Sequence, residues 1–254
     1  MNRSIQFLVQ RLPLLAGIMG AMVAFAITGP ALADTIKVDL ADNLGLTDHV
    51  VQIVALITVL SLAPSIFIMV TSFVRIVVVL SLLRTAIGTQ QTPPNSVIIS
   101  LALFLTAFVM TPTFTKAYND GIEPLMNQQI ELNEAFAPSM DPFKTFMLTQ
   151  VRKEDLRLFV DLSNTAEPEE ANDLPLQVVV PSFMLSELRR AFEIGFLVFL
   201  PFIVIDMVVA SVLMSMGMMM LPPVTISLPF KLIFFVLVDG WTLIAGSLVQ
   251  SFGT

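Results

Sequence analysis

Long apolar stretches dominate this chain and limit what it can fold into. Residues 50–83, 182–221 and 224–249 are almost continuously hydrophobic, and a shorter stretch covers residues 96–110. Only 13% of the 254 residues are charged, which is typical of an integral membrane protein rather than a soluble one. A straight helix over the first stretch would be about 51 Å long, against about 30 Å for the hydrocarbon core of a bilayer. We therefore expect helices that bend, here at Pro64, or that extend beyond the membrane.

The N-terminus has the pattern of a secretory signal. Two arginines precede an apolar stretch at residues 12–27, and the small-residue run Ala-Leu-Ala ends at Ala33, directly before Asp34. This pattern predicts a signal peptide over residues 1–33 that is cleaved between Ala33 and Asp34, followed by a polar leader over residues 34–49. An uncleaved first anchor is the alternative, but the stretch is short and contains two glycines. Export of this kind indicates a bacterial cytoplasmic membrane.

The middle of the chain differs from the rest in charge. Residues 117–181 carry twelve acidic and four basic side chains, so this segment accounts for the whole net charge of −7. Within it, Asp141 and Pro142 stand before an apolar helical pattern and predict a helix start. The sequence thus predicts an all-α, membrane-associated fold in which an acidic soluble insert, on the periplasmic side, separates two long helical hairpins at residues 50–116 and 182–254.

A methionine-rich turn joins the last two apolar stretches. Three successive residues of a helix spread over roughly 200° of its circumference, so a continuous helix would point these methionines in different directions. Gly217 and the following pair of prolines are suited to break the helix there. Methionine is unbranched and polarizable, so such a turn, repeated around a ring of subunits, could seal a pore softly. The alternative is that these side chains merely fill a hydrophobic core. The candidate gasket residues are Met218, Met219 and Met220.

Charged side chains interrupt the apolar stretches and must be shielded from lipid. A lone charge at the centre of a membrane helix costs at least ~2.5 kcal/mol, so we expect these groups to face protein or water, in an oligomer. Glu187 and Lys231 are predicted to pair between neighbouring subunits, although each could instead lie at a wet interface. Arg75, Asp206 and Asp239 are predicted to be buried polar groups with a structural role.

Several classes of chemistry find no support in the sequence. The chain has no cysteine and one histidine, which excludes disulfides, thiolate metal sites and multi-histidine metal sites. It lacks a glycine-rich phosphate loop, a Ser/His pair and a basic aromatic groove, so we predict no cofactor, no catalytic residue and no nucleic-acid partner.

Two rival functions use the intramembrane charges. An intramembrane aspartyl protease would use Asp206 and Asp239 as a dyad, but the sequence around Asp239 lacks the second glycine expected of such a motif. An ion channel or secondary transporter would line its pathway with the same aspartates and Arg75. Methionine at the turn argues against this reading, because thioethers are poor ligands for hard cations.

Several blocks of sequence stand in order along nearly the whole mature chain. They are TSFVRIVVVLSLLR at residues 71–84, QTPPN at 91–95, LFLT at 103–106, DPF at 141–143, PSFMLSEL at 181–188, GFLVFLPF at 195–202 with Asp206, GMMMLPP at 217–223, PFKL at 229–232 and VDGW at 238–241. Together these blocks resemble the FliP/SctR family of type III secretion export-gate proteins. The signal sequence favours the flagellar branch of the family.

The resemblance implies a specific role. Subunits of this family form a ring, taken as a pentamer, that combines with FliQ and FliR, nucleates assembly with FlhB and works beside FlhA in the flagellar basal body of the inner membrane. Unfolded flagellar proteins pass through this gate. By similarity, Met218, Met219 and Met220 would form its gasket, and Glu187 with Lys231 would bridge subunits. The family also implies that much of the apolar helix mass lies above the bilayer.

Overall fold

The computed structural model describes residues 46–89, 91–163, 171–218 and 220–253. The predicted signal peptide, its cleavage site at Ala33 and Asp34, residues 34–45 of the leader, and Met219 lie outside this range. Every regular element within it is helical, so the all-α prediction is confirmed for these residues. The α-helices are α1 (Leu46–Met69), α2 (Phe73–Ile87), α3 (Asn95–Ala117), α4 (Glu123–Met126), α5 (Leu132–Gln150), α6 (Lys153–Ser163), α7 (Leu176–Ser215), α8 (Pro223–Leu237) and α9 (Gly240–Gln250).

Two helices in the described part of the chain are long and apolar enough to cross a membrane. One is α3 with its continuation through a π-helical turn and α4, Asn95–Met126, and the other is α7. Two bent helix pairs could each form one further span, Ile53–Met69 with Phe73–Ile87 and Pro223–Leu237 with Gly240–Gln250. At 1.5 Å per residue α7 is about 60 Å long, twice the thickness of the hydrocarbon core. Part of α7 therefore extends beyond any bilayer that it crosses.

The chain divides into two compact units, residues 1–59 and residues 60–254. The described part of the first unit is the beginning of α1, whose described side chains are exposed, and within it the Thr58 hydroxyl donates to the Val54 carbonyl at 2.7 Å.

The first long apolar stretch is interrupted, but not where the sequence suggested. α1 continues through Pro64 to Met69, so the predicted break at Pro64 is wrong. The interruption lies at residues 70–72, where the Phe73 N–H approaches the Thr71 hydroxyl at 3.5 Å. A proline removes a single helical hydrogen bond, which apolar helices tolerate. The Thr71 side chain, which is buried, instead offers the backbone an alternative partner.

Helices α2 and α7 form the centre of the second unit and run parallel to each other. Arg75 near the start of α2 meets Glu187, and Leu82 further along packs against Gly195. A Cβ on Gly195 would collide with the Leu82 side chain, so glycine permits the close approach of the two helices. Ile87, the last residue of α2, belongs to the same hydrophobic cluster as Phe202 of α7. Contacts thus progress in the same direction along both helices.

Helices adjacent in sequence also contact each other, α3 with α2 and α8 with α7. The predicted insert does not stand apart from them, since α5 packs against α3 and α7. α7 already begins at Leu176, inside the predicted insert. The division into two hairpins and an insert, and the ring, stay predictions.

The predicted helix start at Asp141 is wrong. α5 begins at Leu132 and contains both Pro138 and Pro142. Its start is set by Glu131, whose extended backbone presents a carbonyl that accepts from the N–H groups of residues 134 and 135 at 3.1 and 3.0 Å. The apolar side of α5 packs into a cluster around Met147 with residues of α7, and this packing outweighs the local signal at Asp141.

Candidate functional site

The end of α7, the methionine turn and the beginning of α8 project beyond the rest of the helical core. Phe202 clusters with Ile87 at the end of α2, and α7 continues from there to Ser215. At 1.5 Å per residue this carries α7 about 20 Å past α2. We call residues 207–230 the tip. No residue of the tip is charged, and most of its described large apolar side chains are exposed: Met207, Val208, Val212, Met214, Met216, Met218, Met220, Leu221, Val224, Ile226 and Phe230.

The turn at the end of the tip has a well-defined backbone. Gly217 has a φ of +74°, the left-handed conformation that favours glycine. Its N–H donates to the Met214 carbonyl at 3.1 Å, and the Met218 N–H donates to the Leu213 carbonyl at 3.0 Å. These two bonds form a Schellman motif, which satisfies the last carbonyls of α7. α8 begins at Pro223, so the predicted helix break by Gly217 and the proline pair is confirmed.

The described methionines of the turn do not fill a core within this chain. The exposed fractions are 66% for Met216, 40% for Met218 and 99% for Met220. Met219 lies outside the described residues. Apolar side chains this exposed are expected to meet another molecule, since soluble surfaces rarely carry large continuous apolar patches. The gasket formed by Met218, Met219 and Met220 stays a prediction.

A polar cluster lies at the base of the tip and joins three helices. Lys231 of α8 is buried, and its ammonium donates to Asp206 of α7 at 2.7 Å and to the Ala86 carbonyl of α2 at 3.3 Å. The Ser227 hydroxyl, one turn before Lys231, donates to the other oxygen of Asp206. Ala86 is in the last turn of α2, where carbonyl groups lack helical partners and a cation is favourable. This cluster, the base, fixes the tip to the core.

Arg75 and Glu187 form a second ion pair, and both side chains are completely buried. The guanidinium Nε donates to Glu187 Oε2 at 2.8 Å and Nη2 donates to Oε1. Such a two-bond pair is among the strongest charged contacts in proteins. Sequence reasoning missed it, although a lone arginine in an apolar helix signals that some carboxylate must be its partner. The structure therefore brings Glu187 to Arg75, and Lys231 to Asp206.

The predicted pair of Glu187 and Lys231 is not formed within this single chain. Its formation between subunits stays a prediction. In the described chain both carboxylate oxygens of Glu187 bind Arg75, and the ammonium of Lys231 binds Asp206.

Asp239 lies in the break between α8 and α9, where the two helices meet at a bend of 63°. It is exposed in this chain, with a left-handed backbone (φ 50°), and its carbonyl accepts from the Leu243 N–H at 3.1 Å. Asp206, by contrast, is paired with Lys231. Two aspartates in such different surroundings do not resemble a dyad that shares a proton. Among the described residues, no group of three or more His, Cys, Asp or Glu side chains is placed to hold a metal ion.

Comparison with known proteins gives a consistent result. A sequence model of the FliP family matches residues 56–248. A Caulobacter vibrioides protein is 64% identical over 236 residues, which cover 92% of this chain and 89% of the relative. Relatives from Bacillus subtilis and Agrobacterium fabrum are 55% and 52% identical; each covers 80% of this chain, with 91% and 84% of their own lengths aligned. All three relatives are named flagellar biosynthetic protein FliP.

Proposed function

The chain belongs to the FliP family, and on that premise we propose that it is a pore-forming subunit of the flagellar protein-export gate. It is a flagellar biosynthesis protein with helices long and apolar enough to span a membrane. We place it in the bacterial inner membrane, at the flagellar basal body. The proposed gate has no catalytic chemistry and no cofactor: it acts through its shape and its apolar lining.

The tip is the observation that carries this proposal. It contains no charged residue, projects about 20 Å past α2, and ends in exposed methionines. Several copies around one axis would place Met218, Met219 and Met220 of each copy at a common constriction. A hydrophobic constriction excludes water and ions at rest, and flexible methionine side chains can rearrange around a passing unfolded protein. The tip is thus suited to seal the gate without blocking its substrates.

The remaining exposed apolar surface supports an assembly of several chains. Large apolar side chains are exposed on α3 and along the middle of α7, for example Phe104, Phe108, Phe192 and Phe196. They require cover by lipid or by other protein. We propose a homo-oligomeric ring, a pentamer, that is completed by FliQ and FliR and works with FlhB and FlhA. Its substrates are unfolded flagellar proteins.

Replacing the gasket tests the proposal against its rivals. In motile cells of the source bacterium, Met218, Met219 and Met220 are changed together to alanine, and both the secretion of flagellar proteins and the leakage of small ions are measured. The control is Met126→Ala, which removes an exposed methionine from α4, outside the tip. If the protein is an export gate, the triple variant leaks ions and the Met126→Ala control does not. Lost transport without leakage would favour a transporter, and unchanged leakage with unchanged secretion would contradict the gasket.

A further inference from the structure

The turn that follows α9 is held by the same buried arginine that binds Glu187. The Arg75 Nη1 group donates to both the carbonyl and the hydroxyl of Ser251, at 3.1 and 3.0 Å. The ring of Phe252 stacks on the guanidinium, with 3.7 Å from Cζ to the ring centroid. We propose that residues 251–253 are a clasp, which closes over Arg75 and thereby locks α9 onto the α2–α7 core. This inference does not depend on the proposed function.

The clasp has a second attachment through Gln150, at the end of α5. The Gln150 carbonyl oxygen accepts from Arg75 Nη2 at 3.2 Å, and its amide group donates to the Phe252 carbonyl at 3.3 Å. Arg190 of α7 approaches the same Gln150 oxygen at 3.4 Å. One guanidinium thus joins α2, α5, α7 and the clasp, four segments that are far apart in sequence.

Besides the clasp, α9 is attached to the core by the apolar side chains of Ile244, Leu248 and Val249. It follows the bend of 63° after α8, and it packs only lightly on α3 and α8. Trp241 and Leu243 on its outer side are exposed, whereas Leu248 and Phe252 are buried in the cluster around Ile76. The buried end of α9 therefore lies next to the clasp, and opening the clasp would expose Leu248.

Arginine is required for this arrangement, and lysine cannot replace it. The planar guanidinium directs Nε and Nη2 to Glu187 while Nη1 points to Ser251. A lysine ammonium carries the same charge on a single nitrogen and cannot bridge acceptors on opposite sides. Arg75→Lys thus retains the positive charge but opens the clasp. The arm formed by α8 and α9 would then be fixed at the Lys231 base but free at its other end.

Cysteine accessibility in the full-length protein tests the clasp. The chain contains no cysteine, so Leu248→Cys introduces a unique thiol at a position that is only 1% exposed. We expect N-ethylmaleimide to modify this thiol at least roughly tenfold faster when Arg75→Lys or Phe252→Ala is added, because the local opening that exposes it becomes more frequent. The matched control, Leu243→Ala, changes an exposed side chain of the same helix and should leave the rate unchanged.

A second thiol separates local opening from general unfolding. Val179→Cys places the probe in a different buried cluster, packed around Met147. Faster modification at position 248 with continued protection at position 179 supports the clasp. Equal acceleration at both positions would overturn it, because Arg75 would then be an ordinary core residue. Unchanged modification at position 248 in both variants would also overturn it.

Discussion

Removing the charge of Glu187 should destabilise the subunit strongly. In Glu187→Gln the amide keeps the shape of the carboxylate, but the guanidinium of Arg75 stays charged and completely buried without an anion. Breaking a buried ion pair on one side typically costs about 3–5 kcal/mol. Arg75 retains its bonds to Ser251 and Gln150, which favours the lower part of this range. We therefore expect the free energy of unfolding to fall by about 3 kcal/mol, with about 5 kcal/mol as the upper bound.

Removing both charges should cost less than removing either one. In the double variant Arg75→Met with Glu187→Leu, no unpaired ion remains in the core, and apolar replacements of buried ion pairs are often tolerated. The double variant still loses the hydrogen bonds to Ser251 and Gln150, at about 1 kcal/mol each. The effects of the two substitutions should therefore be strongly non-additive, as expected for residues in direct contact.

Thermal unfolding of the purified protein in detergent, followed by circular dichroism, measures these effects. For a chain of this size 1 kcal/mol corresponds to about 2–4 °C in Tm, so Glu187→Gln should lower Tm by roughly 6–20 °C. The control is Glu193→Gln, because Glu193 is largely exposed and lies 3.9 Å from Arg152. Such a surface pair contributes at most about 1 kcal/mol. A Glu187→Gln variant that melts with the control, or additive effects in the double variant, would show that the buried ion pair does not stabilise the subunit as expected.

Three further substitutions test the tip, the helix contact and the base. Gly217→Ala should lower the free energy of unfolding by about 1 kcal/mol, because alanine disfavours the left-handed backbone of this residue. Steric overlap adds nothing, since a Cβ there meets no atom within 4 Å. Gly246→Ala, in a helix and equally unobstructed, should be neutral or stabilising, and equal Tm shifts for both glycines would contradict this. Gly195→Val should lower the free energy of unfolding by about 1–3 kcal/mol, because the new side chain forces α2 away from α7. Adding Leu82→Ala should restore part of the Tm. If it restores none, Leu82 and Gly195 do not form the contact. Lys231→Met should lower the free energy of unfolding by about 1–3 kcal/mol, because Asp206 loses its cation and the Ala86 carbonyl loses the ammonium that donates to it. A Tm equal to wild type would show that the base is not needed.

The parts of the fold that follow from local chemistry could be predicted from the sequence. Continuous apolar stretches predict helices, and Gly217 with Pro222 and Pro223 predicts the break between α7 and α8, which the structure confirms. The error at Asp141 arose where a local signal competed with packing, and the error at Pro64 arose because an apolar helix tolerates the loss of one hydrogen bond. The helix continues past Pro64, and α5 begins well before Asp141 because its apolar side packs against α7.

The partners of the buried charges could not be predicted in the same way. Arg75 lies 112 residues before Glu187, and the apolar stretches offer other carboxylates that could have served as its partner. The choice depends on how far α2 and α7 are shifted along each other. The packing of Leu82 against Gly195 is one of the contacts that set this shift, and a contact between two distant segments leaves no pattern in a single sequence. The clasp was missed for the same reason.

Disulfide formation at the methionine turn tests whether the tips of neighbouring subunits meet around a pore. Met218→Cys provides the only thiol in the chain, and Leu162→Cys places an exposed control thiol on α6, outside the tip. Both variants are oxidised in native membranes and separated without reducing agent. If the tips of neighbouring subunits meet around a pore, Met218→Cys gives covalent dimers in high yield and Leu162→Cys does not. Equal, low dimer yields at both positions would show that the tips do not meet.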